Sequence, residues 1–172
     1  MYKIIPISNN YINIDIDLIK SWFNNPVLNK YTSHKNKYME YMDVVEYINK
    51  LDKCTDIKLW FIFNPYQHIG NISLQQIDYV NRSAEIAWMI SEQGKRAGTE
   101  AGRQVIDYAF NVLNLNRVWC GCVKENIGMV KVAEKLGMKQ EGISREAFFL
   151  DGRYTDIINF GILKEEWNEH KS

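Results

Sequence analysis

Trp88-Met89-Ile90-Ser91-Glu92-Gln93-Gly94-Lys95-Arg96-Ala97-Gly98-Thr99-Glu100-Ala101 decides how the rest of the chain is read. The strand-forming run Ala84–Ile90 leads into it. A helix over Ala97–Leu113 leads out, with Ala101, Val105, Ala109 and Val112/Leu113 on one face. Gly94 and Gly98 stand at the junction, with Lys95 and Arg96 between them. A strand end, glycines that let backbone come close, and the free N–H groups of a first helical turn together suit an anion. The same pattern also fits a plain strand-to-helix turn. Two phosphate motifs are excluded, because neither the Gly-Lys-Ser/Thr ending nor the G-x-G-x-x-G spacing is present.

Upstream, Tyr2–Ile7, Ile57–Phe63 and Ile69–Ile77 read as strands, and Asp15–Phe23 and Met39–Leu51 as helices. Asn24-Asn25-Pro26 and Asn64-Pro65 are stops. Downstream come a strand at Arg117–Val123, a helix at Ile127–Leu136 closed by Gly137, and strands at Ile143–Leu150 and Ile157–Leu163 around Asp151-Gly152-Arg153. The order β-α-α-β-β-β-α-β-α-β-β predicts an α/β (α+β) fold. We expect a mixed, mostly antiparallel sheet of about seven strands, about four flanking helices, and a central β-α-β unit supplying one parallel pair.

Residues 1–172 read as one domain, since no linker or repeat interrupts them. The 21 basic residues balance the 21 acidic ones, which argues against a nucleic-acid binder that relies on excess positive charge. Any anionic ligand must then be held locally. No apolar run approaches the ~18 residues of a membrane span, and Met1-Tyr2-Lys3-Ile4-Ile5-Pro6 lacks a signal stretch, so a cytoplasmic location is expected. Cys54, Cys120 and Cys122 are too few and too badly spaced for a disulfide framework or a zinc site. The alternation of Cys120 and Cys122 suits core packing.

The sequence resembles the GNAT superfamily of acetyl-CoA-dependent N-acetyltransferases. Gln93-Gly94-Lys95-Arg96-Ala97-Gly98 matches that family's pyrophosphate loop at its first and last positions, with Arg96 standing where a glycine is usual. A second match begins about 30 residues on: Val123-Lys124-Glu125-Asn126 and the helix closing in Lys135-Leu136-Gly137-Met138. A third covers Gln140–Asp156 and ends in Leu163-Lys164-Glu165-Glu166-Trp167. It is similar to the branch holding ribosomal-protein N-terminal, polyamine and bacterial amino-sugar acetyltransferases. Trp22–His34 fits that branch too, so the resemblance covers nearly the whole chain.

The resemblance implies acetyl-CoA as acyl donor, no metal, and acetyl transfer to a primary amine by direct attack in a ternary complex. It places the cofactor along Ala87, Trp88, Met89 and Ile90, on Gln93, Gly94, Lys95, Arg96, Ala97, Gly98 and Thr99, and beside Asn126, Met129 and Lys131. Asn126 also reads as a helix N-cap, and Lys131 as part of a solvated face. The strand 84–90 is expected to splay from 118–123 and admit the pantetheine arm.

An ammonium must lose a proton before it attacks, so a general base is needed. Glu85 is the leading candidate, a carboxylate inside a predicted strand. It reads equally as a solvent-facing group or one paired with Arg82 or Arg145. His34 is the second candidate, in a loop, with an ordinary pKa near ~6.5; it also fits a plain surface histidine. Many relatives carry an acid tyrosine seven residues past the asparagine, where this chain has Ala133. Tyr31, Tyr108 and Tyr154 are other hydroxyls to consider.

For the acceptor, Tyr31, His34, Arg82, Arg145 and Phe148 are the expected contacts, with Arg153 also available. Asn29–His34, and His68–Leu74 with Asn81–Glu85, look most like acetyltransferases of bacterial surface-glycan pathways, a resemblance that implies a nucleotide-linked amino sugar as acceptor. Protein N-termini, polyamines and aminoglycosides are alternatives, and a catalytically degenerate acyl-CoA sensor is an alternative of another class. The expected partners are a small-molecule amine, with no nucleic acid and no membrane, and the expected state is monomer or homodimer.

Overall fold

Extended and helical stretches follow one another much as the hydrophobic periods dictate. The structure is a computed structural model describing residues 2–7, 15–35, 37–92 and 96–171, without the side chains of Asp52, His170 and Lys171. Its elements run β1 (Lys3–Pro6), α1 (Ile16–Phe23), α2 (Tyr41–Lys53), β2 (Lys58–Phe63), β3 (His68–Asp78), β4 (Ser83–Ile90), α3 (Ala97–Asn111), β5 (Arg117–Val123), α4 (Ile127–Lys135), β6 (Lys139–Leu150), β7 (Arg153–Leu163) and α5 (Lys164–Lys171). The strands form one seven-stranded sheet in the order β1-β2-β3-β4-β5-β7-β6. Every neighbouring pair is antiparallel except β4 and β5, whose connection passes through α3.

Side chains alternate across a strand, so Leu59-Trp60-Phe61-Ile62, apolar throughout, must be covered on both faces. Trp60 and Ile62 join the cluster under α3 and α4, with Val105, Ile106, Phe110 and Leu136. Leu59 and Phe61 join Ile19, Trp22, Phe23, Val44 and Ile48 of α1 and α2 on the other face. The sheet is thus sandwiched between two helical layers. α1 is capped by Asp15, which accepts from the Leu18 N–H at 2.9 Å. α2 carries a capping box between Glu40 and Asp43.

Two features depart from the sequence reading. There are five helices among the described residues, the unexpected one being α5. Its anchor is Trp167, fully buried, whose indole N–H donates to Asp107 at 2.8 Å. The last hairpin is longer than expected, β6 starting at Lys139 and β7 at Arg153. It turns tightly at Asp151 (φ +49°) and Gly152 (φ +84°), the paired positive φ values that two-residue hairpins require. No helix among the described residues is long and apolar enough to cross a membrane.

Candidate functional site

β4 and β5 pair only through Ser83 with Arg117, Ala84 with Val118, and Glu85 with Trp119. β4 continues to Ile90 and β5 to Val123, so the two strands fork after Glu85. Backbone groups turned into the fork need water or a ligand, because buried peptide groups are almost always paired. The helices that follow both strands, α3 and α4, begin at the open end of the fork. Both therefore direct the positive end of a helix dipole there.

The fork is held by close packing. The Trp88 indole donates to the Gly98 carbonyl at 3.2 Å. A Cβ at Gly98 would stand 3.2 Å from Val132 Cγ2 and 3.4 Å from Ile90 Cδ1, so this glycine lets α3 approach α4 and β4 together. Arg96, exposed, occupies the N-cap of α3 without any side-chain cap bond, which leaves first-turn N–H groups available. Asn126 caps α4 by accepting from the Met129 N–H at 3.3 Å. Lys131 is exposed on α4, and Met129 packs on the core. These residues fit an anionic cofactor carrying an extended arm. Gln93, Gly94 and Lys95 lie outside the described residues.

Along β4, Ala84 and Ile86 belong to the core under α3, and Trp88 and Ile90 pack on it. Met89 packs on the α1–α2 cluster. By strand alternation Glu85, Ala87 and Met89 share that second face. Glu85 therefore sits at the apex of the fork, half-buried on a central strand rather than at an edge. Burial lifts its carboxyl above the usual carboxylate range, and a hydrogen bond from Gln76 pulls the other way. That bond, from Gln76 Nε2 to Glu85 Oε2, is 2.8 Å.

Neither arginine expected beside Glu85 is its partner. Arg82 turns to the α3–β5 loop, donating to the Asn114 carbonyl at 2.8 Å and the Asn114 side chain at 3.0 Å. It stands in the β3–β4 turn at φ +56°. Arg145 is exposed on β6, the outermost strand, which places it away from a carboxylate on β4. Arg153 lies 3.5 Å from Glu125.

The segment after α1 lies across the β6–β7 hairpin. Lys30 pairs with Asp151 at 2.8 Å. The Lys35 ammonium stands 3.9 Å over the Phe148 ring, a cation–π geometry. The Tyr31 hydroxyl donates to the Glu125 carbonyl at 3.3 Å, next to Asn126. Tyr31 and Phe148 are thus brought together near the fork, with Lys35 and Glu125, which the sequence did not single out. His34 leans edge-on against Phe23 at 5.0 Å and Tyr47 at 5.7 Å. Burial, and then the Lys37 charge, lower its pKa. It is a rim member of the α1–α2 cluster, and no hydrogen bond joins it to Glu85 among the described residues.

Ala133 is fully buried in the core. Tyr108 packs edge-on to Trp60 and Tyr154 to Phe149; Tyr31 bonds to Glu125, and Tyr154 lines a groove with Glu125 and Ile127. Cys120 and Cys122 are buried in the core as expected. His68 is enclosed by Trp22, Phe61 and Phe63 at 4.8–4.9 Å. Burial pushes its pKa down to about 4. An open groove of about 620 Å³ lies beyond the β5–α4 turn, where Glu125, Glu146 and Asp156 meet Lys124 and Arg153; it does not include Glu85.

The profile of the acetyltransferase (GNAT) domain matches residues 11–139. The chain is 38% identical over 104 residues to a putative ribosomal N-acetyltransferase, YdaF, of Bacillus subtilis (strain 168), covering 59% of this chain and 57% of that protein. It is 35% identical over 101 residues to a spermidine N(1)-acetyltransferase of Vibrio cholerae, covering 58% of each. The matched region therefore spans a little over half the length of these relatives. A solved structure of spermidine N-acetyltransferase from Vibrio cholerae in complex with CoA and spermine superposes with a TM-score of 0.86. It is 26% identical and covers 97% of this chain and 98% of that one.

Proposed function

The chain belongs to the GNAT acetyltransferase family, and on that premise we propose that it is an acetyl-CoA-dependent N-acetyltransferase acting on a small-molecule primary amine. The observation that carries the proposal is the fork: two strands parted beyond Glu85, with a helix N-terminus at each tip. Acetyl-CoA would supply the thioester carbonyl that the amine attacks; the C–N bond forms as the C–S bond breaks, and CoA leaves as a thiolate that takes its proton from solvent. Asn126, Arg96 and the first turn of α3 hold the donor. Backbone N–H groups of Ala87–Ile90 stabilise the negative charge that develops on the acyl oxygen. Glu85 takes the proton of the acceptor ammonium, directly or through one water, as a general base. Its half-buried position favours this, since burial makes the carboxylate more basic. The same arrangement of a poised carboxylate favours an enzyme over an acyl-CoA sensor.

For the acceptor, the stretch from Pro26 to Tyr38 carries Lys30, Lys35 and Lys37 and no carboxylate; Lys30 is paired with Asp151, which leaves Lys35 and Lys37 as the remaining charges. Like charges repel, so this segment disfavours a polycation and favours an anionic amine such as a nucleotide-linked amino sugar. Tyr31 and Phe148 then offer rings to a base or sugar. A polyamine acceptor is the second reading, favoured by the spermidine acetyltransferases among the relatives and by the carboxylates of the groove beyond the β5–α4 turn. Calorimetry with acetyl-CoA, followed by a thiol-release assay on UDP-glucosamine, spermidine, an aminoglycoside and a peptide N-terminus, separates these. Turnover of the nucleotide sugar supports the first reading and turnover of spermidine the second. Tight donor binding without turnover of any amine supports the sensor. Absence of donor binding removes the proposal.

A further inference from the structure

We propose that Gln76 is the positioning residue of Glu85: a bulge in β3 turns its carboxamide onto the β4 carboxylate and fixes that carboxylate at the apex of the fork. The inference rests on reading Glu85 as the general base. The register shows how the bulge does this. Gln75 lies opposite Glu85, yet the next recorded pair is Asp78 with Ser83, so β3 spends three steps where β4 spends two. The extra residue is Gln76, at φ +49°, a left-handed conformation that side-chain-bearing residues rarely adopt. Glycine would suit that backbone better. A glutamine there, with its amide 2.8 Å from the carboxylate, keeps an unfavourable backbone and makes one directed contact.

Its neighbours are otherwise engaged. Gln75, directly across from Glu85, donates to the buried Ser73 hydroxyl at 2.8 Å. From β5 the residue paired with Glu85 is Trp119, which is neutral. Gln76 is thus the one side-chain donor to Glu85 among the described residues. The choice of an amide is chemically apt. A lysine or arginine would stabilise the carboxylate so strongly that it would cease to be a useful base, whereas a neutral donor orients it and leaves it able to take a proton.

The test titrates the Glu85 carboxyl by carbon-13 NMR in the unliganded full chain, wild type against Gln76→Gly and Gln76→Glu. Acceptor kinetics follow with the better of UDP-glucosamine and spermidine. Glycine suits the φ of residue 76, so that variant keeps its fold; glutamate is isosteric and is a second probe. In Gln76→Gly the Glu85 titration and the acid limb of kcat/KM should both move up by about half a pH unit. In Gln76→Glu, where two carboxylates share the site, they should move up by about one unit or more. The KM for acetyl-CoA should stay within about twofold, which a merely structural lesion would not leave alone. An unmoved titration in both variants overturns the inference. If Glu85→Gln is inactive at the same time, the base reading survives without it. Full activity in Glu85→Gln overturns both.

Discussion

Replacing Gly70 by alanine tests how closely the end of β4 is laid against β3. An ideal Cβ at Gly70 falls 2.3 Å from the Met89 carbonyl oxygen and 2.9 Å from Ile90 Cα. Comfortable carbon contacts begin near ~3.5 Å, so β4 must shift by about 1 Å, and both obstacles are backbone rather than yielding side-chain ends. Overpacking costs about 1–3 kcal/mol, and a rigid obstacle belongs at the upper end. The stiffer unfolded chain of an alanine variant returns only about 0.4–1 kcal/mol. The net loss is about 2 kcal/mol, which for a chain of this size lowers Tm by about 4–8 °C. Scanning calorimetry of Gly70→Ala beside Gly142→Ala gives the comparison, because a Cβ at Gly142 meets nothing within 4 Å and should leave Tm within about 2 °C. The displaced backbone is Met89–Ile90, which lines the fork, so the KM for acetyl-CoA should rise as well. Equal Tm values for the two variants would refute the packing argument.

Three further outcomes are expected. Glu85→Gln should lower kcat by about 10²–10⁴-fold and remove the acid limb of the pH–rate profile, while circular dichroism melts stay near wild type; a retained limb assigns it to another group. Asn126→Ala removes the cap on the Met129 N–H. It should cost about 1 kcal/mol of stability and weaken acetyl-CoA binding by calorimetry, and unchanged binding would leave Asn126 a cap alone. His68 is neutral when folded, at a pKa of about 4 against 6.5 when free. Above the free value both states are neutral and nothing is lost. Between about 6.5 and 4 the unfolded chain binds the extra proton, so stability should fall with pH by up to about 3 kcal/mol. Urea titrations from pH 7 to 4.5 read this slope, and it should flatten in His68→Phe.

Much of this molecule was legible where one residue type has one physical reason. Ala101, Val105 and Ala109 could only be the buried stripe of a helix, and they are fully buried. The Asn126 cap was readable because the chemistry of helix ends is local. What was not legible depends on register. The partner of Glu85 is set by one extra residue in β3, and nothing in Leu74-Gln75-Gln76-Ile77 announces where a bulge falls. Arg82 was weighed as a partner of Glu85 because it is near in sequence, while in the fold it donates to Asn114. α5 was missed because its burial comes from a single residue, Trp167, whose polar neighbours gave no apolar stripe.

The three-residue seam between β4 and β5 makes the sheet two blocks, one of four strands and one of three. Glu85 belongs to the first block, and Asn126 follows directly on the second. A ligand that bonds to both edges of the fork therefore acts as a missing rung. On the reading of Glu85 as the base, such a rung would stiffen the join between the base and the donor pocket. Amide exchange along 86–90 and 120–123 is where that stiffening would be read, residue by residue.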